Sequence, residues 1–354
     1  VAPNRWSDGP AFTEEYRETA MKFRKPRRDV LVVLQNLALA AAICLTSQLG
    51  LVIGLDRGGT SPFWPPTGVA VVALLTLGVD MWPGILLGST IVNVFTGPLI
   101  AAIPTAFGTT LACLCAFWML RRVGFRNELD RLKDALALVF LGALSAMLIS
   151  STVGTTLLLS TGVVSLGTFL PTWLTWWTGD AMGVLVVAPL LLTMVKLSWR
   201  RYRYVDAARL AEFVMLMVAT FGLMLFTEKS LGVLFVAFPL LVWAAWRFQL
   251  PGAAPVGLLA SAMAIHAAVV GYGAFDGKNQ SETMTILQLF NGSIALTALL
   301  LSVAVTERMR MQAELERACG QLGDVIDHID QAMRPGEPSH LRQWAEERTT
   351  SKRS

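Results

Sequence analysis

The chain has 354 residues, of which 54% are hydrophobic and 15% charged, and its mean hydropathy is +0.55. A soluble domain carries about 25% charged residues. The deficit, together with apolar runs of spanning length, excludes an ordinary soluble protein and gives a polytopic membrane protein; the net charge of +4 sits in loops, as membrane topology requires, and is no nucleic-acid signal.

Residues 1–29 are polar and end in KFRKPRRD, without the short apolar core and small-residue cleavage site of a signal peptide. They read as a cytoplasmic basic leader before a retained first span at 30–53. Further apolar runs fall at 66–80, 83–97, 99–120, 134–158, 169–195, 209–227, 231–246, 252–271 and 284–305. Both termini then lie inside. The basic loops 121–133, 196–209, 246–252 and 307–312 all fall on the cytoplasmic side, and the outer loops LDRGGTSP, TEKS and DGKNQSET carry one basic residue each, which satisfies the positive-inside rule. Counting 66–97 as a re-entrant pair leaves the parity unchanged, so eight and ten spans fit equally. Cys44, Cys113, Cys115 and Cys319 form no disulfide framework, and His266, His328 and His340 are too scattered for a metal cluster.

Residues 61–97, SPFWPPTGVAVVALLTLGVDMWPGILLGSTIVNVFTG, are apolar but broken. Trp64-Pro65-Pro66 opens the stretch and Trp82-Pro83-Gly84 interrupts it. Proline lacks an amide hydrogen and resists helix continuation, so each break leaves carbonyls that lipid cannot satisfy and that neighbouring protein or enclosed water must. The expectation is two short helices meeting at Trp82-Pro83-Gly84 inside a larger bundle. Asn93, an amide within hydrocarbon, needs a partner there. A kinked packing pair without a ligand is the competing reading. Gly84 and Gly88 stand at a spacing that lets helix backbones approach closely.

Residues 169–195, FLPTWLTWWTGDAMGVLVVAPLLLTMV, hold Asp180 near the centre of an apolar run. An ionised Asp at that depth costs about 2.5–3.5 kcal/mol on insertion scales, so it should face the bundle interior or water. Trp173, Trp176 and Trp177 precede it; membrane-interface anchoring accounts for all three. Glu212 and Glu228 lie near predicted helix ends, where a solvated boundary suffices.

These residues also carry a resemblance. Trp64, Pro65, Pro66 and Gly68, then Trp82, Pro83 and Gly84, then Gly88 and Asn93, then Thr96 and Gly97 resemble the hallmark segment of the membrane-associated sensor one (MASE type) family. Trp177, Gly179, Asp180, Gly183 and Pro189 are similar to a second family pattern. So are FPLLVWAAWRFQLPGAA (238–254), with Arg247 at the inner boundary, and the last span LQLFNGSIALTALLLSVAVTERMR (287–310), with Gln288 and Asn291 near its outer end. The resemblance covers roughly residues 30–310. It implies a bacterial integral membrane sensory domain of the kind that feeds histidine kinases, diguanylate cyclases and related outputs.

Beyond the last span, Met311, Leu315, Ala318, Leu322, Val325, Ile329 and Ala332 recur at spacings of three and four, an a/d seam of little over three heptads. It predicts a cytoplasmic signalling helix that pairs with a second copy through 308–333; a solvated amphipathic tail is the alternative. Asp327 precedes His328, but no Arg-Thr-Pro follows, so His328 does not read as a phosphoacceptor. LGDVIDHIDQAM (322–333) instead resembles the opening helix of a PAS sensor domain, and it meets Arg334-Pro335-Gly336-Glu337-Pro338 where a strand is expected. The expectation is a chain truncated or frame-altered just inside a PAS domain, with a disordered tail at 334–354.

No P-loop, GxSxG elbow, HExxH helix or pair of carboxylates at catalytic spacing is present. The fold expected is all-α: a polytopic transmembrane bundle of about 8–10 spans (30–306) with two short Pro-broken helices, between the leader at 1–29 and a cytoplasmic helix at 307–333. The function expected is a sensory input module of the bacterial inner membrane, neither enzyme nor cofactor protein. It would bind a small ligand or sense a membrane property at Trp64, Asn93, Trp177, Asp180 and Asn291, and relay it to an output protein or other membrane subunits, as in two-component signalling. A secondary transporter is the second reading, because carriers also build sites from broken helices. An accessory structural subunit of a membrane complex is the third.

Overall fold

The computed structural model describes the backbone of residues 11–53, 61–196, 207–230 and 233–333, and side chains within 29–51, 61–195, 207–226, 233–279 and 281–326. The beginning of the leader, the outer loop at 54–60, most of the basic loop at 197–206, His328, the seam positions Ile329 and Ala332, and the tail at 334–354 lie outside the described side chains. The chain divides into two compact units, Val1–Thr306 and Glu307–Ser354.

Ten helices, with no strand among the described residues, make up the described chain. They are α1 (Ala11–Ile53), α2 (Pro65–Leu77), α3 (Trp82–Thr96), α4 (Leu99–Arg122), α5 (Leu132–Ser160), α6 (Leu166–Val195), α7 (Ala207–Ser230), α8 (Ala237–Phe248), α9 (Leu250–Val270) and α10 (Gln280–Met333). Seven of them are long and apolar enough to cross a membrane, while α2 and α8 are shorter. The chain is therefore an all-α polytopic helix bundle. Helix α1 starts at Ala11, so most of the leader is helical and continuous with the first span.

Helix α2 sits at the centre. Of its 13 residues, all from Pro65 to Leu75 are buried except Val69. Its sequence is apolar on every face, the pattern of a helix surrounded by protein. At about 1.5 Å per residue it spans about 20 Å, less than the ~30 Å hydrocarbon core. Its partners are α1, α4 and the middle of α6. The break after α2 falls earlier than the proline pattern places it. The helix stops at Leu77 because Gly78 takes φ +100°, a conformation open to glycine. A single 3-10 turn, Val79–Met81, follows. Pro83 then lies in the first turn of α3, where its missing N–H would have had no intrahelical partner. The orphaned Leu75 carbonyl at the end of α2 accepts from Arg121 Nη2 and Asn127 Nδ2, each at 3.0 Å.

Asn36 of α1 holds this turn. Its amide accepts from the Gly84 N–H at 2.6 Å and donates to the Asp80 carbonyl at 3.0 Å. Gly84 and Gly88 both face α1: a Cβ at Gly88 would lie 3.0 Å from the Ala40 backbone, and one at Gly84 would be closer still to Asn36. Replacing Asn36 with alanine removes both of these hydrogen bonds and a third, to the Val32 carbonyl of its own helix at 2.9 Å. It should cost about 1–2 kcal/mol, read as a lower melting temperature of the purified protein; a melting temperature equal to the parent's would show that water replaces the amide.

The remaining helices extend the bundle. Helices α3, α4, α5 and α6 pack in sequence, and α7, α8 and the second half of α6 pack against α9. Glu212, read from sequence as a solvated boundary residue, pairs with Arg247 at 2.9 Å and accepts from Trp243, joining α7 to α8. Gly257 of α9 abuts Ile294 and Ala298 of α10.

Candidate functional site

The two hallmark segments meet in one contact. Residues Ser61 to Pro65 run directly over the Gly179–Gly183 face of α6, and the Trp64 N–H donates to the Gly179 carbonyl at 3.0 Å. Side chains have no room there. A Cβ on Gly179 would collide with the Ser61 carbonyl oxygen, one on Gly183 with the Trp64 carbonyl oxygen, and one on Gly68 with the Gly183 carbonyl oxygen. Small residues four apart permit such an approach. The close fit also brings the N-terminal turn of α2 level with Asp180.

Asp180 is buried, at 1% exposure. The Thr67 hydroxyl donates to one carboxyl oxygen at 2.6 Å, and the Ser150 hydroxyl of α5 donates to the other. The Trp176 indole approaches the same carboxyl group. The acid thus joins α2, α5 and α6 through neutral donors. Both spanning helices that flank it are locally unwound to π geometry, α5 over Leu138–Ser145 and α6 over Gly183–Val187. Such turns occur often at functional sites. They release carbonyls, and Trp177 satisfies one: its indole donates to the Leu144 carbonyl at 2.8 Å. Trp173 stacks on Trp177 with ring centroids 5.8 Å apart and donates to Thr152. The tryptophans read from sequence as interface anchors therefore clasp α5, with Trp176 lying over Gly154.

Next to this contact is a cavity of about 320 Å³. Its walls come from α1 (Ile43), the start of α2 (Trp64, Pro66, Thr67, Ala70), α3 (Ser89, Val92, Asn93, Thr96), the α3–α4 turn (Gly97, Pro98), α4 (Ala101, Ala102, Thr105, Thr109), the end of α5 with its following loop (Leu158, Val163), and α6 (Trp176). None of these described lining residues is ionisable. Asp180 stands one side chain behind the wall, bonded to the lining residue Thr67.

Of the five residues singled out from sequence, Trp64 and Asn93 line the cavity. Asp180 reaches it through Thr67. Trp177 does not; its neighbour Trp176 takes that place, because adjacent residues on a helix point about 100° apart and Trp177 is turned toward α5. Asn291 does not line it either. It is fully buried on α10, with neither amide atom bonded among the described residues, and the adjacent Gly292 faces Met182 of α6. Replacing Asn291 with leucine should raise stability by about 1 kcal/mol, since an unpaired buried amide costs about 1–3 kcal/mol. A higher melting temperature checks this; a fall would show that the amide is bonded through enclosed water. The residues missed from sequence are Thr67, Ser89, Thr105, Ser150 and Trp176. Thr67, Ser89 and Trp176 lie inside the quoted stretches, and hydroxyl residues are too common in spanning helices to stand out.

The arrangement can bind a molecule among indoles, hydroxyls and an amide. Among the described residues no group of three or more His, Cys, Asp or Glu is placed to hold a metal ion. No curated protein and no solved structure matches the chain. A family model, MASE1 (membrane-associated sensor 1), matches residues 33–309. That domain is a membrane sensory domain of signal-transduction proteins, and its match begins in α1 and ends in α10, enclosing both hallmark segments and the cavity between them. The chain belongs to the MASE1 family.

Proposed function

We propose that the chain binds a small ligand in the cavity beside Trp64 and Asn93 and relays occupancy through α10 to a partner or an output domain at the inner face of a bacterial inner membrane. The observation that carries this reading is spatial. The Trp-Pro-Pro-Thr-Gly segment and the Gly179–Gly183 segment touch each other, and the cavity lies against that contact. A ligand there touches α1 to α6 at once, including Thr67, which bonds Asp180. Occupancy shifts a two-state bundle only as far as the ligand's affinity differs between the states. The basic loops at 121–133, 196–209, 246–252 and 307–312 support an orientation with both termini on the cytoplasmic side.

In the second unit, Met311, Leu315, Leu322 and Val325 are all more than half exposed. Their heptad spacing suits pairing with a second copy, so 308–333 is the homodimer seam and the place where the signal is read. Cys319, exposed on the same helix, supplies the probe position. The test labels Cys319 with a nitroxide in the full chain in nanodiscs and measures the distance between copies. Thr105→Phe, which fills the cavity, should shift that distance distribution. An unchanged distribution, with the variant folded, sinks the relay. The transporter reading predicts gradient-driven accumulation in reconstituted vesicles, and the family membership favours the sensor.

A further inference from the structure

Resting on the reading of this cavity as the sensory site, we propose that its ligand is an uncharged compound of one or two rings bearing a hydroxyl or carbonyl oxygen, and that ions are excluded. Charge is the first argument. No described residue lining the cavity carries one. A carboxylate or phosphate entering would lose its water and find no cation, which is strongly unfavourable in a low-dielectric site. A cation fares little better, because Asp180, the acid bonded to the lining residue Thr67, is buried behind the wall with both oxygens already accepting from Thr67 and Ser150. The indoles could still attract a cation through their ring faces, so that class belongs in the test.

Shape and hydrogen bonding narrow the class further. Trp64, Trp176, Pro66 and Pro98 give the cavity flat apolar walls, which suit a planar ring. A volume of about 320 Å³ is at the small end of ligand sites. Most polar lining groups are already engaged: Thr67 with Asp180, Thr96 with the Val92 carbonyl, Thr109 with the Thr105 carbonyl, and the Asn93 amide N–H with the Ala102 carbonyl. Ser89 and Thr105 are the exceptions. They are 9% and 5% exposed, line the cavity, and have no such bond among the described residues. One sits on α3 and the other on α4. A ligand oxygen that meets both hydroxyls joins those two helices, which gives ring position and helix position a common anchor.

The experiment measures melting temperature of the full chain in nanodiscs against three naphthalene probes of equal ring size at neutral pH: 1-naphthol, 1-naphthoate and a naphthylmethyl trimethylammonium salt. 1-Naphthol should give a saturable upward shift, and the two ions none over the same range. The Ser89→Ala/Thr105→Val double variant should weaken naphthol binding about tenfold, equivalent to about 1.4 kcal/mol, and its own unliganded melting temperature reports on folding. Tighter or equal binding of either ion overturns the proposal. So does no binding of naphthol, or a naphthol shift unchanged in the double variant, which is bilayer partitioning alone. Those failures leave the Thr105→Phe response at Cys319 intact, whereas failure of the sensory reading removes that response whatever binds.

Discussion

Gly183→Ala will destabilise the protein by about 3 kcal/mol or more, whereas Gly222→Ala will leave it as stable or raise stability by up to about 1 kcal/mol. Both glycines lie within spanning helices, and the substitution adds the same single methyl group. At Gly222 nothing lies within 4 Å of the new carbon, so the change only relieves the flexibility of glycine in a helix. At Gly183 the new carbon collides with the carbonyl oxygen of Trp64 and comes within 2.8 Å of its carbonyl carbon. Those are backbone atoms at the head of Pro65-Pro66, where fixed proline φ angles allow little adjustment. The cost is at or beyond the upper end of overpacking, about 1–3 kcal/mol. Gly68 cannot yield from its side, because its own α-carbon faces the Gly183 carbonyl. Paired thermal melts of the two variants with the parent, in the same detergent, decide the matter. Equal melting temperatures would mean that the Trp64 loop is free to lift away from α6, and that the cavity wall it forms is not fixed.

How much of this is legible in the sequence varies by residue, for physical reasons. The helical class and the central placing of residues 65–75 follow from composition, since a segment apolar on every face must be enclosed by protein or lipid. The sequence groups Trp64 with Asp180 in one candidate site, but the backbone contact of Trp64 with Gly179 and Gly183 is not derivable from either segment alone, since glycine records that something approaches but not what. Trp176 and Trp177 stand four and three residues before Asp180, and both spacings bring side chains to one helix face. Sequence alone therefore leaves both open. The structure separates them through the π turn of α5, whose released Leu144 carbonyl takes Trp177. Neither π turn has a periodicity that a run of leucine and valine could reveal. Asn36 is as legible as Asn93, because the argument from an amide within hydrocarbon holds equally for both. Asn291 is plainly polar in the sequence, but which helix face it occupies depends on how α10 packs against α9.

Asp180→Ala should cost about 3 kcal/mol, and the pattern of its coupling should identify the acid as the joint between α2, α5 and α6. Removing the carboxyl group takes away two hydrogen bonds and leaves the Thr67 hydroxyl buried without an acceptor, at about 1–3 kcal/mol, while the Ser150 hydroxyl falls back on the Met147 carbonyl at 3.1 Å. Thr67→Val and Ser150→Ala should each cost less, because the carboxyl group keeps its other donor. Groups in one network couple by about 0.5–3 kcal/mol. Double-mutant cycles of Asp180→Ala with Thr67→Val and with Ser150→Ala should therefore fall short of additivity by that amount, while a cycle with Asn36→Ala, in another part of the bundle, should add. Asp180→Asn separates stability from signalling. Its amide oxygen can still accept one hydroxyl, and its NH2 can be met if the other hydroxyl turns to accept, so the fold survives with a rearranged joint. If the joint carries the cavity's state onward, the nitroxide distance at Cys319 in Asp180→Asn will no longer respond to Thr105→Phe. A full response in that variant would confine Asp180 to holding three helices together and would leave the relay to the Trp64–Gly183 contact.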